Sequence, residues 1–211
     1  MNDQRATVAI IDDDQLVREA LQGVLETVEL KVELFRSVDD FLRAGKSHAM
    51  SCIVLDVRLP GPSGLEFQAG LASSNSQTPI VFITGYGDIP MSVHAMKAGA
   101  VDFLTKPFRD QELIDAVRHG IMHDRARRAE EKAITELRAR FSSLTRCERE
   151  IMALLSAGWS AKQIAGRMGV SAVTARVHRC HIMYKMGARS PADLVRMADK
   201  LDGSSAKQPL I

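Results

Sequence analysis

Five short runs of branched and aromatic apolar residues, separated by longer amphipathic stretches, occupy the first 123 residues and leave few folds open. The runs are Thr7–Ile11, Val32–Phe35, Ser51–Leu55, Pro79–Ile83 and Val101–Leu104. Each is too short for a helix and rich in the residue types of buried strands. Between them, helical patterns cover Gln15–Thr27, Val38–Ala44, Gly64–Ala72, Pro90–Ala98 and Asp110–His123, with Asp88 and Asp110 as N-caps and Gly99 as a C-cap. This alternation predicts an α/β fold: a doubly wound, five-stranded parallel sheet with helices on both faces. Such sheets bind ligands at the carboxyl ends of their strands.

The second half of the chain reads differently. Residues 124–140 are strongly charged and free of Pro and Gly, which predicts a helical connector continuing the fifth helix. Beyond it only helical signals occur, at Thr145–Ala157, Ser160–Met168, Ala172–Met186 and Pro191–Leu201. The expected division is therefore 1–123, a linker at 124–140, a small all-α domain at 141–202 and a flexible tail at 203–211. Charge follows the same division. Through Asp124 there are 11 basic and 18 acidic residues, a balance of −7, whereas from Arg125 onward 17 and 8 give +9. An acidic and a basic half call for different partners, and nucleic acid suits the basic one.

Composition excludes several classes. No apolar run approaches the roughly 20 residues that span a bilayer, and the polar start lacks the apolar core of a secretory signal. The chain is expected to be cytoplasmic, without a membrane partner. Cys52, Cys147 and Cys180 are odd in number and widely spaced, which argues against a disulfide framework or a zinc site.

Polar residues punctuate the ends of four predicted strands. Asp12-Asp13-Asp14 follows the first, Asp56 the third, Thr84 the fourth, and Lys106-Pro107 lies just past the fifth. Converging carboxylates repel one another unless a cation is present. A hard divalent ion with oxygen ligands, magnesium or manganese, answers that need. The metal and Lys106 would neutralise the oxygens of a phosphoryl group in transfer. Asp56 is then a nucleophile able to form an acyl phosphate, and Thr84 a hydrogen-bonding group beside it. Asp14 reads equally well as a plain helix cap.

The segments Ile10-Ile11-Asp12-Asp13-Asp14, Leu55-Asp56-Val57-Arg58-Leu59-Pro60-Gly61-Pro62-Ser63-Gly64, Phe82-Ile83-Thr84-Gly85 and Phe103-Leu104-Thr105-Lys106-Pro107-Phe108 resemble the bacterial response-regulator receiver. The resemblance implies that Asp56 takes phosphate from a sensor histidine kinase. It implies magnesium on Asp12, Asp13, Asp56 and the backbone carbonyl of Arg58, with Lys106 on the phosphoryl group and a cis peptide at Lys106-Pro107. Thr84 and Phe103 would form the switch pair.

In the basic half, Gly158–Ala165 and Met168–Arg176 read as helix, turn, helix. Ser160 and Ser171 cap the two helices and Gly169 makes the turn. Ala175, His178, Ile182 and Met186 have a spacing that could face the core; on that reading, preferred over His178 as a base contact, His178 is a packed histidine and Val173, Arg176, Val177 and Cys180 face outward. The second helix carries Arg176, His178, Arg179, His181 and Lys185, and a helix with a cationic face fits the major groove. Residues 144–201 resemble the LuxR-type helix-turn-helix, through Leu144-Thr145, Glu148, Glu150, Leu154-Leu155, Gly158, Ile164-Ala165, Val170-Ser171, Thr174, His178 and Lys185-Met186-Gly187. The whole chain is most similar to the NarL/FixJ class, on the FixJ side. Cys147, Ala175 and Arg176 depart from the usual pattern. Expected DNA contacts are Lys162, Thr174, Arg176, Val177, Arg179, Cys180 and Lys185.

The resemblance implies a transcriptional regulator, more an activator than a repressor, with promoter DNA and RNA polymerase as partners. Phosphorylation would drive homodimerisation through the fourth helix, fifth strand and fifth helix. Enzymatic turnover beyond slow self-phosphorylation and self-dephosphorylation is not expected, since no second substrate pocket or cofactor motif is present. The alternative is a phosphorylation-gated protein-interaction module whose helical half binds protein instead of DNA.

Overall fold

The computed structural model describes residues 6–73, 77–85 and 89–205. Two compact units emerge, one ending at Arg127 and the other starting at Arg128.

The first unit holds strands β1 (Thr7–Ile11), β2 (Lys31–Phe35), β3 (Cys52–Asp56), β4 (Ile80–Thr84) and β5 (Asp102–Thr105). All pairings are parallel, in the order β2-β1-β3-β4-β5. The intervening helices are α1 (Gln15–Glu26), α2 (Val38–Arg43), α3 (Gly64–Ser73) and α4 (Ile89–Lys97), and α5 (Asp110–Ser142) follows β5. Alternating residues supply two cores. Ala9, Ile11, Ile53, Leu55, Ile80 and Phe82 face one side of the sheet, where Phe41 of α2, Phe67 of α3 and Ala95 of α4 cover them. Val8, Ile10, Val54, Val81 and Ile83 face the other, under Leu21 and Leu25 of α1 and Leu113, Val117 and Ile121 of α5. The period of two thus dictates a doubly wound sheet buried on both faces.

Strands β3, β4 and β5 each lie one residue further along than their apolar runs suggested, because ladder partners decide where a strand stops. Thr84 pairs with Thr105, and Lys106 N–H donates to the Thr84 carbonyl at 2.7 Å. As a result Asp56 and Thr84 are themselves the last strand residues. Gly99 ends α4 with φ +92°, while Ala100 N–H donates to the Ala95 carbonyl at 3.0 Å, closing the helix as expected. Asp110 is the first residue of α5 and not the cap before it. The carboxylate of Glu112 instead accepts from the Arg109 N–H at 3.0 Å. Asp88 lies outside the described residues.

The connector is helix throughout, the continuation of α5, and its end does more than link. Leu137 is buried in the second unit's core, together with Leu144, Ile151, Ile164, Ile182 and Met186. That unit adds α6 (Arg146–Ser156), α7 (Ala161–Met168), α8 (Ala172–Met186) and α9 (Pro191–Ser205). Its structured part therefore starts earlier than residue 141. It also ends later than expected, since α9 includes residues 203–205; residues 206–211 lie outside the described part. Among the described residues no helix is long and apolar enough to cross a membrane.

Candidate phosphoacceptor pocket and nucleic-acid interface

The carboxyl ends of β1, β3 and β5 bring Asp12, Asp56 and Lys106 together. Asp12 is 1% exposed and Asp56 8%. The Lys106 ammonium donates to Asp12 Oδ2 and to Asp56 Oδ2, both at 2.9 Å. Each carboxylate uses its other oxygen locally. Asp12 Oδ1 accepts from the Asp14 N–H at 2.9 Å, and Asp56 Oδ1 from the Arg58 N–H at 2.8 Å. Burial pushes the Asp12 carboxyl above the usual range, against the opposing pull of Lys106. Burial alone would lower Lys106, but its hydrogen bonds to Asp12 and Asp56 outweigh it and the ammonium is held above its ordinary value. Lys106-Pro107 is a cis peptide.

The remaining expected residues sit around this centre. Asp13 is exposed. Asp14 caps α1, accepting from Leu16 N–H at 2.8 Å and Val17 N–H at 3.4 Å. Thr84 is fully buried at the end of β4. Phe103 is half-buried on β5, its ring 6.3 Å from that of Phe82. Two neighbours escaped sequence reasoning. Arg18 donates to the Asp12 carbonyl at 2.6 Å. Gly64 starts α3 so close to Asp56 that a Cβ would lie 2.7 Å from the Asp56 carbonyl oxygen. Gly64 belongs to the loop motif after β3, but no spacing rule reveals a close backbone approach.

Among the described residues no three His, Cys, Asp or Glu side chains converge as a closed metal cage. The donor set is nevertheless all oxygen, and the charge of a buried carboxylate pair exceeds what Lys106 cancels. This chemistry fits a hard cation that keeps several waters as ligands.

In the second unit, local signals build the paired helices as expected. Thr145 and Glu148 form a capping box at α6, and Ser160 and Gln163 another at α7. Gly169 ends α7 at φ +67° and Ser171 caps α8, accepting from the Thr174 N–H at 3.0 Å. Ala175, Ile182 and Met186 of α8 are buried. His178 is half-buried on that side, its Nδ1 enclosed without a hydrogen-bond partner among the described residues. Val173, Thr174, Arg176, Val177, Arg179 and Cys180 are exposed, as is Lys162 on α7. Lys185 departs from expectation. Its ammonium lies 2.7 Å from Glu148 Oε2, on a carboxylate whose residue is 4% exposed, so its charge is committed inside the unit rather than offered to DNA.

A doubly wound sheet with two buried aspartates and a lysine at its carboxyl edge, followed by a helix-turn-helix, defines the phosphorylation-controlled transcription regulators. The chain belongs to the response regulators of the NarL/FixJ class: residues 8–118 match the response regulator receiver domain and residues 142–198 the LuxR family of bacterial regulatory proteins. Nodulation protein W of Bradyrhizobium diazoefficiens is 46% identical over 93% of this chain and 87% of its own. The transcriptional regulatory protein FixJ of Azorhizobium caulinodans is 42% identical over 90% of each chain. The low-resolution structure of the response regulator StyR superposes with a TM-score of 0.83 at 44% identity, covering 93% of this chain and 99% of that one. The protein is thus a two-component transcription regulator and not an enzyme. The LuxR-type match decides against a helical half that binds only protein.

Proposed function

We propose that Asp56 is the phosphoacceptor, on the strength of one observation: the Lys106 ammonium bridging Asp56 and the more deeply buried Asp12. A carboxylate oxygen of Asp56 attacks the phosphorus of a phosphohistidine on a sensor kinase. A P–O bond forms, the P–N bond breaks, and the imidazole leaves. Lys106 offsets the charge on the transferred oxygens. Asp12, Asp13, Asp56 and the Arg58 carbonyl would hold magnesium, or manganese, which further screens those oxygens.

Thr84, on the strand beside Asp56, is the hydroxyl that turns toward the acyl phosphate, and the half-buried Phe103 ring follows it inward. The face of α4, β5 and α5 then pairs with a second copy. Ile89, 79% exposed, with Val93 and Met96 one and two turns on, gives α4 an apolar stripe suited to that contact. Two helix-turn-helix units on one dimer read paired half-sites in promoter DNA, with Lys162, Thr174, Arg176, Val177, Arg179 and Cys180 toward the duplex. Bound there, the regulator acts on RNA polymerase, in the cytoplasm. The test is Asp56→Ala. With a small-molecule phosphodonor and magnesium, the native chain should dimerise in sedimentation and bind duplex DNA more tightly. Unchanged dimerisation and binding in the variant would refute the scheme.

A further inference from the structure

The outward side of α8 is apolar, which is unexpected for a helix meant to lie against DNA. Val173 is 67% exposed and Val177 47%. Cys180 is also exposed, and Tyr184 is nearly fully so. At 3.6 residues per turn these four side chains fall within about 60° of one another. That stripe lies roughly opposite the buried Ala175, Ile182 and Met186. Arg176 and Arg179 flank it on one side, and Thr174 and His181 on the other. The charged groups are therefore placed for phosphates and groove walls, while the line that would reach deepest carries only the weakly hydrogen-bonding thiol of Cys180 before Tyr184.

We propose that Val173, Val177 and Cys180 read thymine 5-methyl groups, so that the half-site is specified along this line by methyl contact. The inference rests on the proposed DNA-facing side of α8. The physical reason is selective desolvation. A valine pressed on a guanine edge strips water from the N7 and O6 acceptors and replaces nothing, whereas the thymine methyl in the same groove gains apolar contact. No protein partner explains the pattern as well, since the stripe is narrow and bordered by cations that match a polyanion.

Replacing single thymines by deoxyuridine removes only the methyl group and tests this directly. Full-length chain treated with a phosphodonor is first used to select duplexes from a randomised pool. Each thymine shared by the selected half-sites is then replaced in turn by deoxyuridine. At one or more positions uracil should weaken binding about fourfold, the worth of one buried methyl. Val177→Ala or Val173→Ala should abolish that sensitivity at its own position; both residues are exposed, and alanine is the better helix former. Selected half-sites without a shared thymine, or full tolerance of uracil, overturn the inference while leaving DNA binding intact. Failure to select any sequence overturns both it and the DNA-facing assignment.

Discussion

Lys185 Nζ lies 2.7 Å from Glu148 Oε2, joining the end of α8 to the start of α6. The same Glu148 oxygen accepts from the Thr145 N–H at 2.8 Å, completing the α6 cap. One buried carboxylate thus serves both a helix end and the helix proposed to read DNA. Lys185 and the cap hold its carboxyl down to about 2. A depressed carboxyl stabilises the folded state above its unfolded value, roughly 4.3, and this contribution fades as pH falls toward about 2. The second unit should therefore lose stability through this acid window, and Glu148→Gln should flatten that loss. At neutral pH, Glu148→Gln or Lys185→Met is expected to cost about 1–2 kcal/mol. Trp159, the single tryptophan, lies in this unit, so its fluorescence in urea titrations reports this unit. An acid transition identical in native and variant chains would remove Glu148 as its source.

Gly64 sets how the loop after β3 passes Asp56. Its added Cβ would meet the Asp56 carbonyl oxygen at 2.7 Å, the Phe82 ring at 3.0 Å and Leu55 at 3.2 Å. None of these is the free end of a flexible chain, so α3 or the end of β3 must shift. Gly64→Ala is expected to lower the receiver's stability by about 1–3 kcal/mol. It should also slow phosphorylation by a small-molecule phosphodonor tenfold or more on the order-of-magnitude sensitivity of transfer to misplacement. Calorimetry and a phosphorylation time course check the two effects. Native rates in this variant would mean that the Asp56 carbonyl can move without disturbing the carboxylate.

Gly120 makes a comparable approach inside the core. A Cβ there would lie 2.8 Å from Cys52 Sγ, where α5 packs on β3. Gly120→Ala alone should destabilise by about 1–3 kcal/mol despite its better helix propensity. Cys52→Ala should restore much of that loss, because it removes the clashing sulfur. The double-mutant cycle is the measurement, and additive single effects would count against direct contact.

Much of the architecture could be read from the chain. Short continuous apolar runs alternating with helical patterns predicted a parallel sheet covered on both faces, and the spacing of Ala175, Ile182 and Met186 predicted the buried side of α8. Polar residues at strand ends located the pocket for the same reason: in a parallel sheet those ends must converge. What stayed hidden depends on tertiary neighbours. Lys185 looked like one more cation on a basic helix, because its partner Glu148 is 37 positions away. Leu137 looked like part of a charged linker, and only folding shows it entering the core of the second unit. The Arg18 contact and the Gly64 approach involve backbone carbonyls, which leave no compositional trace.

The three cysteines offer a chemical test of the DNA-facing side. Burial pushes the Cys52 thiol up to about 12, which leaves almost no thiolate near neutral pH and no access for a reagent. Cys180 is exposed on the outward line of α8, and Cys147 is intermediate. A maleimide or disulfide reagent should label Cys180 fastest and leave Cys52 untouched until the chain is unfolded. Bound duplex should then slow Cys180 labelling severalfold, and salt that dissociates the complex should restore the rate, because phosphate contacts weaken steeply with ionic strength. Mass spectrometry of the labelled peptides distinguishes the sites. Equal labelling of Cys180 in free and DNA-bound protein would place this side of α8 away from the groove, and the contacts proposed for Val177 and Arg176 would fall with it.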